Sequence, residues 1–318
     1  LLASSAASDV YKRQVLLGMG REGHSTYNFI RRYLPEQKLI IADAKQVEID
    51  DPNVELICGD GYLDAINRAD TVIKAPGVPL LHWKRPQGVE ITCQTDLFLR
   101  YSGFNCVGVT GTKGKTTTST LIYSMLRAAG KEACLIGNMG YPVFDSLEDC
   151  AGETAVIEMS SHQLEFTSRS PHIAVLTNIY PEHLDHYDSF ECYVGAKLNI
   201  VRNQGKGDTF IYNADQGLDG FFDISEYPGE AVGVSVNTPD AEKYRNINPH
   251  LLGEHNIQNC MFAAEAARRC GVSDEDIMRA LKDYEGIEHR MEFFATVKGI
   301  KFVNDCIATI PHSVMCAV

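Results

Sequence analysis

The 318 residues contain no uninterrupted apolar run long enough to cross a bilayer as a helix. Basic side chains are in short supply: 29 Lys and Arg stand against 42 Asp and Glu, a net charge of −13. That balance argues against a broad nucleic-acid or anionic-membrane surface, while leaving room for a local basic cleft that holds phosphates. The ten cysteines form no C-x-x-C pair and no finger-like Cys/His spacing. A zinc finger or dithiol redox motif is therefore excluded, and the cysteines are expected as reduced, mostly buried thiols of a cytoplasmic protein. Internal repeats and low-complexity linkers are also missing. An apolar fraction of 44% and a charged fraction of 22% are ordinary for a globular chain. The length suggests two domains, or a large one plus a piece. Residues 1–14 lack a hydrophobic stretch of signal-peptide length and are read as a non-native leader. The chain ends at Val318, shortly after a loop rich in polar residues, and is expected to be a fragment.

What is present is concentrated at residues 107–118, VGVTGTKGKTTT. A short apolar strand, Asn105–Val109, runs into a Gly-rich turn, then Lys115 and Thr116, then a helical pattern. This order cradles phosphate. Backbone N–H groups and the positive end of a helix face the anion, the lysine reaches the β/γ oxygens, and the hydroxyl can hold Mg²⁺. The usual eight-residue form is not met in full, because its first glycine has no counterpart at the required place, although Gly108 and Gly111 lie nearby. ATP binding is expected through Gly111, Thr112, Lys113, Gly114, Lys115, Thr116 and Thr117.

Earlier in the chain, the strand Val15–Leu17 is followed by a complete G-x-G-x-x-G, Gly18 to Gly23. A helix follows, then a strand Leu39–Ala42 ending in Asp43, 20 residues after Gly23. Alone this is a dinucleotide fingerprint with its ribose-binding acid. Further strands are expected at Glu55–Cys58 and Thr71–Lys74, the latter leading to Gly77. The second unit should carry strands at Ala133–Ile136, Thr154–Ile157, Ile173–Thr177, Thr209–Tyr212 and Ala231–Val236. Its helices are expected at Thr116–Ala129, Phe190–Arg202, His255–Arg269 and Asp274–Tyr284, the last opening on a capping pair, Ser273 and Asp276. Glu292–Val297 and Ile300–Asn304 flank Lys298-Gly299 as a hairpin. The alternation implies an α/β fold with parallel sheets.

Several side chains suit chemistry on a bound triphosphate. Glu158 closes an apolar strand where open α/β sheets present ligands, and with Thr116 it can complete a Mg²⁺ shell. Ser160 follows directly and can meet a polar substrate. His183 is a ligand or substrate contact, against a background in which lone histidines are more often structural. Lys197 shares a helix face with Phe190, Tyr193 and Ile200. Either it snorkels to water or it is buried and held partly neutral, and periodicity does not choose. Asn256 and Asn259, one helical turn apart, suit a base. Arg290 suits γ-phosphate charge, and Asp305 suits ribose hydroxyls.

In order along the chain, GTKGKTTT, GNMG (137–140), IEMSSHQLE (157–165), TNIYPEHLDHY (177–187), AKLNI (196–200), GEHNIQN (253–259), EHRME (288–292) and NDCIATIP (304–311) resemble the Mur ligases. The resemblance implies a Rossmann-like N-terminal domain for a UDP-sugar (15–104), a P-loop ATPase-type central domain (105–287) and the start of a truncated third α/β domain (288–318). It implies an ATP-dependent ligase joining glutamate to UDP-N-acetylmuramoyl-L-alanine through an acyl phosphate, in peptidoglycan precursor synthesis. The cofactors implied are ATP and two Mg²⁺, with Lys197 carbamylated. Metal ligands would be Thr116, Glu158, His183 and the modified Lys197, and the catalytic groups Lys115, His183 and Lys197. The nucleotide would also meet Asn256, Asn259, Arg290 and Asp305. Gly20, Arg21, Glu22, Gly23, Asp43 and Gly77 would wrap the UDP part rather than a nicotinamide cofactor, with Asn138, Ser160, His183 and Thr309 at the remaining substrate. A monomer is expected, acting on small molecules with no nucleic-acid or membrane partner. One departure bears on the amino-acid substrate: Cys306, Ile307 and Ile310 replace residues that relatives use to seat glutamate. As a fragment the chain is expected to have little ligase activity.

Competing readings are another Mur or folylpolyglutamate-type ligase, an NAD-dependent oxidoreductase built on the first fingerprint, and a nucleotide-binding regulator without turnover. The oxidoreductase leaves residues 105–200 without a role.

Overall fold

The strand β1 (Gln14–Leu17) is buried along its whole length and sits at the centre of a five-stranded parallel sheet. A computed structural model describes residues 13–81, 83–137, 141–147, 150, 154–288, 292–304 and 306; of residues 293 and 301 only the backbone is described. The first sheet contains β1, β2 (Leu39–Asp43), β3 (Val54–Cys58), β4 (Thr71–Lys74) and β5 (Glu90–Thr92), in the order β3-β2-β1-β4-β5. Helix α1 (Arg21–Tyr33) connects β1 to β2. Gly23 lets α1 approach the sheet: a Cβ there would collide with the carbonyl oxygen of Gly18. Helix α2 (Gln94–Tyr101) leads out of this unit. Neither β5 nor α2 is among the elements expected from the sequence.

The second sheet is six-stranded and parallel, in the order β11-β10-β9-β6-β8-β7. Its strands are β6 (Asn105–Thr110), β7 (Ala133–Ile136), β8 (Thr154–Glu158), β9 (Ile173–Leu176), β10 (Thr209–Asn213) and β11 (Glu230–Val234). Alternate residues feed opposite layers, as the two-residue strand period requires. Val107, Val109 and Val156 face a core shared with α3 (Lys115–Ala128), α6 (Glu254–Arg269) and α7 (Asp274–Lys282). Cys106, Ala155 and Ile157 face the other layer, which includes α5 (Phe190–Arg202) and contacts from the short helix α4 (Ser161–Leu164). The chain runs from β6 through β7 to β8 on one side, then crosses to β9 on the other. The ends of β6, β8 and β9 therefore flank a topological switch point. The hairpin β12 (Glu292–Val297) and β13 (Ile300–Asn304) pairs antiparallel at the expected residues.

The remaining expected elements of both sheets form, several at the expected residues and the others with ends shifted by one or two residues. Helix α7 stops at Lys282 rather than Tyr284, and its N-cap Ser273 accepts from the Asp276 N–H at 3.2 Å. One cysteine expectation fails. Cys134 and Cys150 are joined as a disulfide, with Cα atoms 5.3 Å apart. The tertiary fold brings β7 beside the residues before β8, a proximity that spacing alone does not reveal. Among the described residues, no helix is long and apolar enough to cross a membrane.

Candidate functional site

The Gly-rich loop leaves β6 at the switch point and is braced from below. Thr112 N–H donates to the Asn178 carbonyl (2.9 Å), and Lys113 N–H donates to Asn178 Oδ1 (2.8 Å). The Thr177 hydroxyl donates to the Lys113 carbonyl at 2.6 Å, and Asn178 Nδ2 donates to the same oxygen at 3.0 Å. The Thr112 hydroxyl meets the Tyr193 hydroxyl at 2.9 Å. Gly114, the N-cap of α3, has φ +85°, and a Cβ would strike Asn259 Oδ1. The turn thus needs glycine for both backbone conformation and contact.

Three lysines converge on this loop. Lys115 Nζ bends back to the carbonyls of Gly111 (3.0 Å) and Thr112 (3.1 Å). Lys197 Nζ donates to the same Gly111 oxygen at 2.9 Å and lies 4.7 Å from the centre of the Tyr193 ring. Lys113 pairs with Glu182 at 2.9 Å. Lys197 is 2% exposed, so of the two alternatives left open by periodicity the structure shows burial. Burial first, then the neighbouring Lys115 charge, pulls its pKa well below the ordinary lysine value. Two lysine amines share one carbonyl oxygen here, and Glu182 acts on both, partly offsetting a positive site suited to a polyanion.

Thr116, in the first turn of α3, donates its hydroxyl to Glu158 Oε1 at 3.3 Å. Glu158 closes β8, adjacent to β6. The two groups are hard oxygens side by side at the loop, a donor set that fits Mg²⁺ together with phosphate oxygens. Among the described residues, no group of three or more His, Cys, Asp or Glu could hold a metal by itself. Gly137, just after β7, presses on this point, since a Cβ there would lie 2.5 Å from the Glu158 carbonyl oxygen.

His183 has the left-handed φ of +57° and its ring is roughly half-exposed, 4.7 Å from the ring of His162. Burial lowers its pKa; Glu182 opposes, and Lys197 adds to the lowering. His162 also packs edge-on against His186 at 4.2 Å, and burial plus the two neighbouring imidazoles pushes its pKa down to about 3. Ser160 caps α4, accepting from Gln163 N–H at 3.2 Å, while Gln163 Oε1 accepts from Ser160 N–H at 3.0 Å. Asn259 and Asn256 are buried beneath the loop. Asn259 accepts from the Thr118 hydroxyl (3.3 Å) and donates to Asn256 Oδ1 (3.2 Å), and Asn256 donates to the Leu252 carbonyl (2.9 Å). These amides are engaged with protein groups, where the sequence expectation placed a base. Thr117 is buried in α3.

In the first sheet, Asp43 accepts from the N–H groups of Met19 (2.6 Å) and Lys45 (2.7 Å), which ties the Gly18–Gly23 turn to β2. Gly20 caps α1, Arg21 is exposed at its first turn, and Gly77 lies in the turn after β4. Glu22 Oε1 accepts from Gln163 Nε2 at 2.7 Å, so the first glycine-rich turn touches α4 of the second unit directly. Burial raises the Glu22 pKa, with Gln163 opposing. Asn138, Arg290, Asp305 and Thr309 lie outside the described residues. Sequence reasoning did not single out Thr177, Asn178, Tyr193 and Glu182 as loop supports. Each lies in a segment noted for other residues, and only the strand crossing to β9 brings them beneath the loop.

This is a parallel α/β architecture with a Rossmann-like unit ahead of a P-loop ATPase-type unit. Residues 109–223 match the Mur ligase middle domain. The chain is 33% identical over 288 residues to the UDP-N-acetylmuramoylalanine–D-glutamate ligase of Clostridium kluyveri, covering 83% of this chain and 62% of that protein. It is 30% identical over 329 residues to the ligase of the same name from Geobacillus kaustophilus, covering 94% and 72%. The chain thus spans somewhat under two thirds of the first of these relatives. Among solved structures, the MurF ligase of Thermotoga maritima in complex with ADP is 17% identical with a TM-score of 0.60, covering 97% of this chain and 74% of that one, a likeness of fold. The chain belongs to the Mur ligase family.

Proposed function

We propose that this chain is the sugar-nucleotide- and ATP-binding part of a ligase that joins D-glutamate to UDP-N-acetylmuramoyl-L-alanine. The observation that carries the reading is the loop at the switch point, where Lys115 and Lys197 share the Gly111 carbonyl beside the Thr116–Glu158 pair. The relatives, named as UDP-N-acetylmuramoylalanine–D-glutamate ligases, support the substrate pair. The proposed division is a UDP-substrate domain at 15–104, an ATP domain at 105–287 and the beginning of a third domain at 288–318.

In this reading the loop N–H groups and the start of α3 receive the triphosphate, and Lys115 turns from the loop carbonyls to its β/γ oxygens. The Thr116 hydroxyl and Glu158 would hold Mg²⁺, which supplies charge neutralisation at the transferred phosphoryl group. The γ-phosphoryl group passes to the alanyl carboxylate, giving an acyl phosphate and ADP; glutamate's amine then displaces phosphate to form the amide. Lys197 is a buried amine of depressed pKa, the form in which an amine can take up CO₂. A carbamate there would offer oxygens toward a second metal with His183.

The test is calorimetric titration of the chain with MgATP and, separately, with UDP-N-acetylmuramoyl-L-alanine. Lys115→Met should weaken ATP binding about tenfold or more, because hydrogen bonds to charged groups are worth ~1.5–3 kcal/mol. A parent chain that ignores ATP at millimolar concentration sinks the reading. Equal affinity for UDP-N-acetylmuramate without the alanyl group would move the substrate to another member of the family.

A further inference from the structure

Lys74 ends β4 with its side chain 1% exposed, an unusual site for an ammonium. Its Nζ lies 3.3 Å from Glu165 Oε2, 3.4 Å from the Ala75 carbonyl and 3.5 Å from the Pro76 carbonyl. The Phe166 ring centre is 5.5 Å away. One charge thus grips the turn at residues 75–77 from inside and crosses to the second sheet unit. Glu165 in turn meets His186 Nε2 at 3.2 Å. The His186 N–H donates to the His183 carbonyl at 3.0 Å, so the same path reaches the turn bearing His183. The Glu165 backbone is tied to α5, where Asn199 Nδ2 donates to its carbonyl at 3.2 Å, two residues from Lys197.

We propose that Lys74 is a positioning residue for the sugar nucleotide: it locks the Ala75-Pro76-Gly77 turn onto Glu165 and His186, and so sets the UDP-sugar site in register with the phosphoryl-transfer site. The inference rests on the reading of the function given above. Gly77 belongs to the turn assigned to the UDP-sugar, while among the described residues the hydrogen bonds of Lys74 go to Ala75, Pro76 and Glu165 rather than to the Gly-rich loop. Burial lowers the Lys74 pKa and Glu165 opposes; burial also disfavours charge on Glu165, but His186 and Lys74 outweigh it and its pKa falls. A pair held this way needs both partners, because removing one strands a charge, whereas replacing both by apolar groups is often neutral or stabilising.

The experiment uses the intact chain as parent, Lys74→Met, and the double variant Lys74→Met/Glu165→Met. Each is titrated with UDP-N-acetylmuramoyl-L-alanine and with MgATP, and melted in parallel. Lys74→Met should weaken the sugar nucleotide about ten- to hundredfold, the scale of losing a hydrogen bond to a charged group, and leave the ATP affinity unchanged. The double variant should regain the parent melting temperature without regaining sugar-nucleotide affinity. A merely structural pair predicts the opposite: both recover together, or both ligands weaken equally in Lys74→Met. Either result overturns the inference, as does a Lys74→Met chain that binds the sugar nucleotide like the parent. Failure of the parent itself to bind the sugar nucleotide removes the functional reading, and the inference falls with it.

Discussion

Lys197 illustrates what a single residue costs and supplies. Its amine is buried with one carbonyl acceptor and a nearby positive charge on Lys115, an arrangement that favours anion binding over stability. Lys197→Met should therefore raise the stability of the ligand-free chain by about 1–3 kcal/mol while weakening MgATP binding, read by thermal melts and calorimetric titration. A lower melting temperature would show that the bond to Gly111 outweighs desolvation. Asp51 lies at the other extreme. It accepts from Arg31, from the Tyr27 hydroxyl (2.8 Å) and from the Asn53 N–H (2.8 Å), and Arg31 above all holds its pKa below the ordinary 3.8. A carboxylate with a depressed folded pKa contributes stability that is present above the unfolded value and lost as pH falls through the folded one. Asp51→Asn should lower the melting temperature at neutral pH, and the gap to the parent should close on acidification below the ordinary aspartate pKa. A gap independent of pH would refute the pairing. Neither environment was legible from sequence: the lysine's stripe fitted both snorkelling and burial, and Asp51 lies in a polar stretch with no periodic signal.

At the scale of elements, α3 connects the phosphate loop to the core. Leu121, Ile122, Met125 and Leu126 are all at most 1% exposed and pack with α6 and α7. Met125→Ala should destabilise by about 2–5 kcal/mol, measured by chemical denaturation, with MgATP affinity nearly kept while the chain is folded. A loss under ~1 kcal/mol would mean the site collapses around the smaller side chain. This helix was readable because its apolar residues repeat at helical spacing between a Gly-Lys-Thr start and Gly130. Strand β5 was not: Glu90-Ile91-Thr92 is three residues long and becomes a strand only by pairing with β4. Helix α2 was missed for a related reason, since its N-cap, Cys93, offers no side-chain cap and its eight residues carry little periodic signal.

Across the whole molecule, the two sheet units are joined by polar contacts as well as apolar ones. Asp96, 1% exposed in α2, accepts from the Ser168 N–H (2.6 Å) and hydroxyl (2.9 Å) across the junction, and from the Thr92 hydroxyl (2.7 Å) within its own unit. The ring of Phe29 in α1 meets that of Phe144 at a tilt, with centres 4.5 Å apart. Asp96→Ala should split calorimetric unfolding into two transitions, because it cuts a shared anchor while leaving each sheet's core intact. A single cooperative transition at an unchanged temperature would show that the apolar junction suffices.

The local order of residues determined the two glycine turns, most of the strands and helices, the parallel α/β class and the family resemblance. Each of these depends on spacing of a few residues along one segment: apolar periodicity, glycine where backbone must turn, and a lysine and hydroxyl at a helix start. Tertiary structure alone decided that Lys197 is buried, that Asn178 and Thr177 brace the loop, that Cys134 meets Cys150 and that Lys74 reaches Glu165. The pairs are brought together by the crossing of the chain at β6, by β7 lying beside β8 and by the junction of two sheets, and the desolvation that shifts the lysines exists only once both sides are packed.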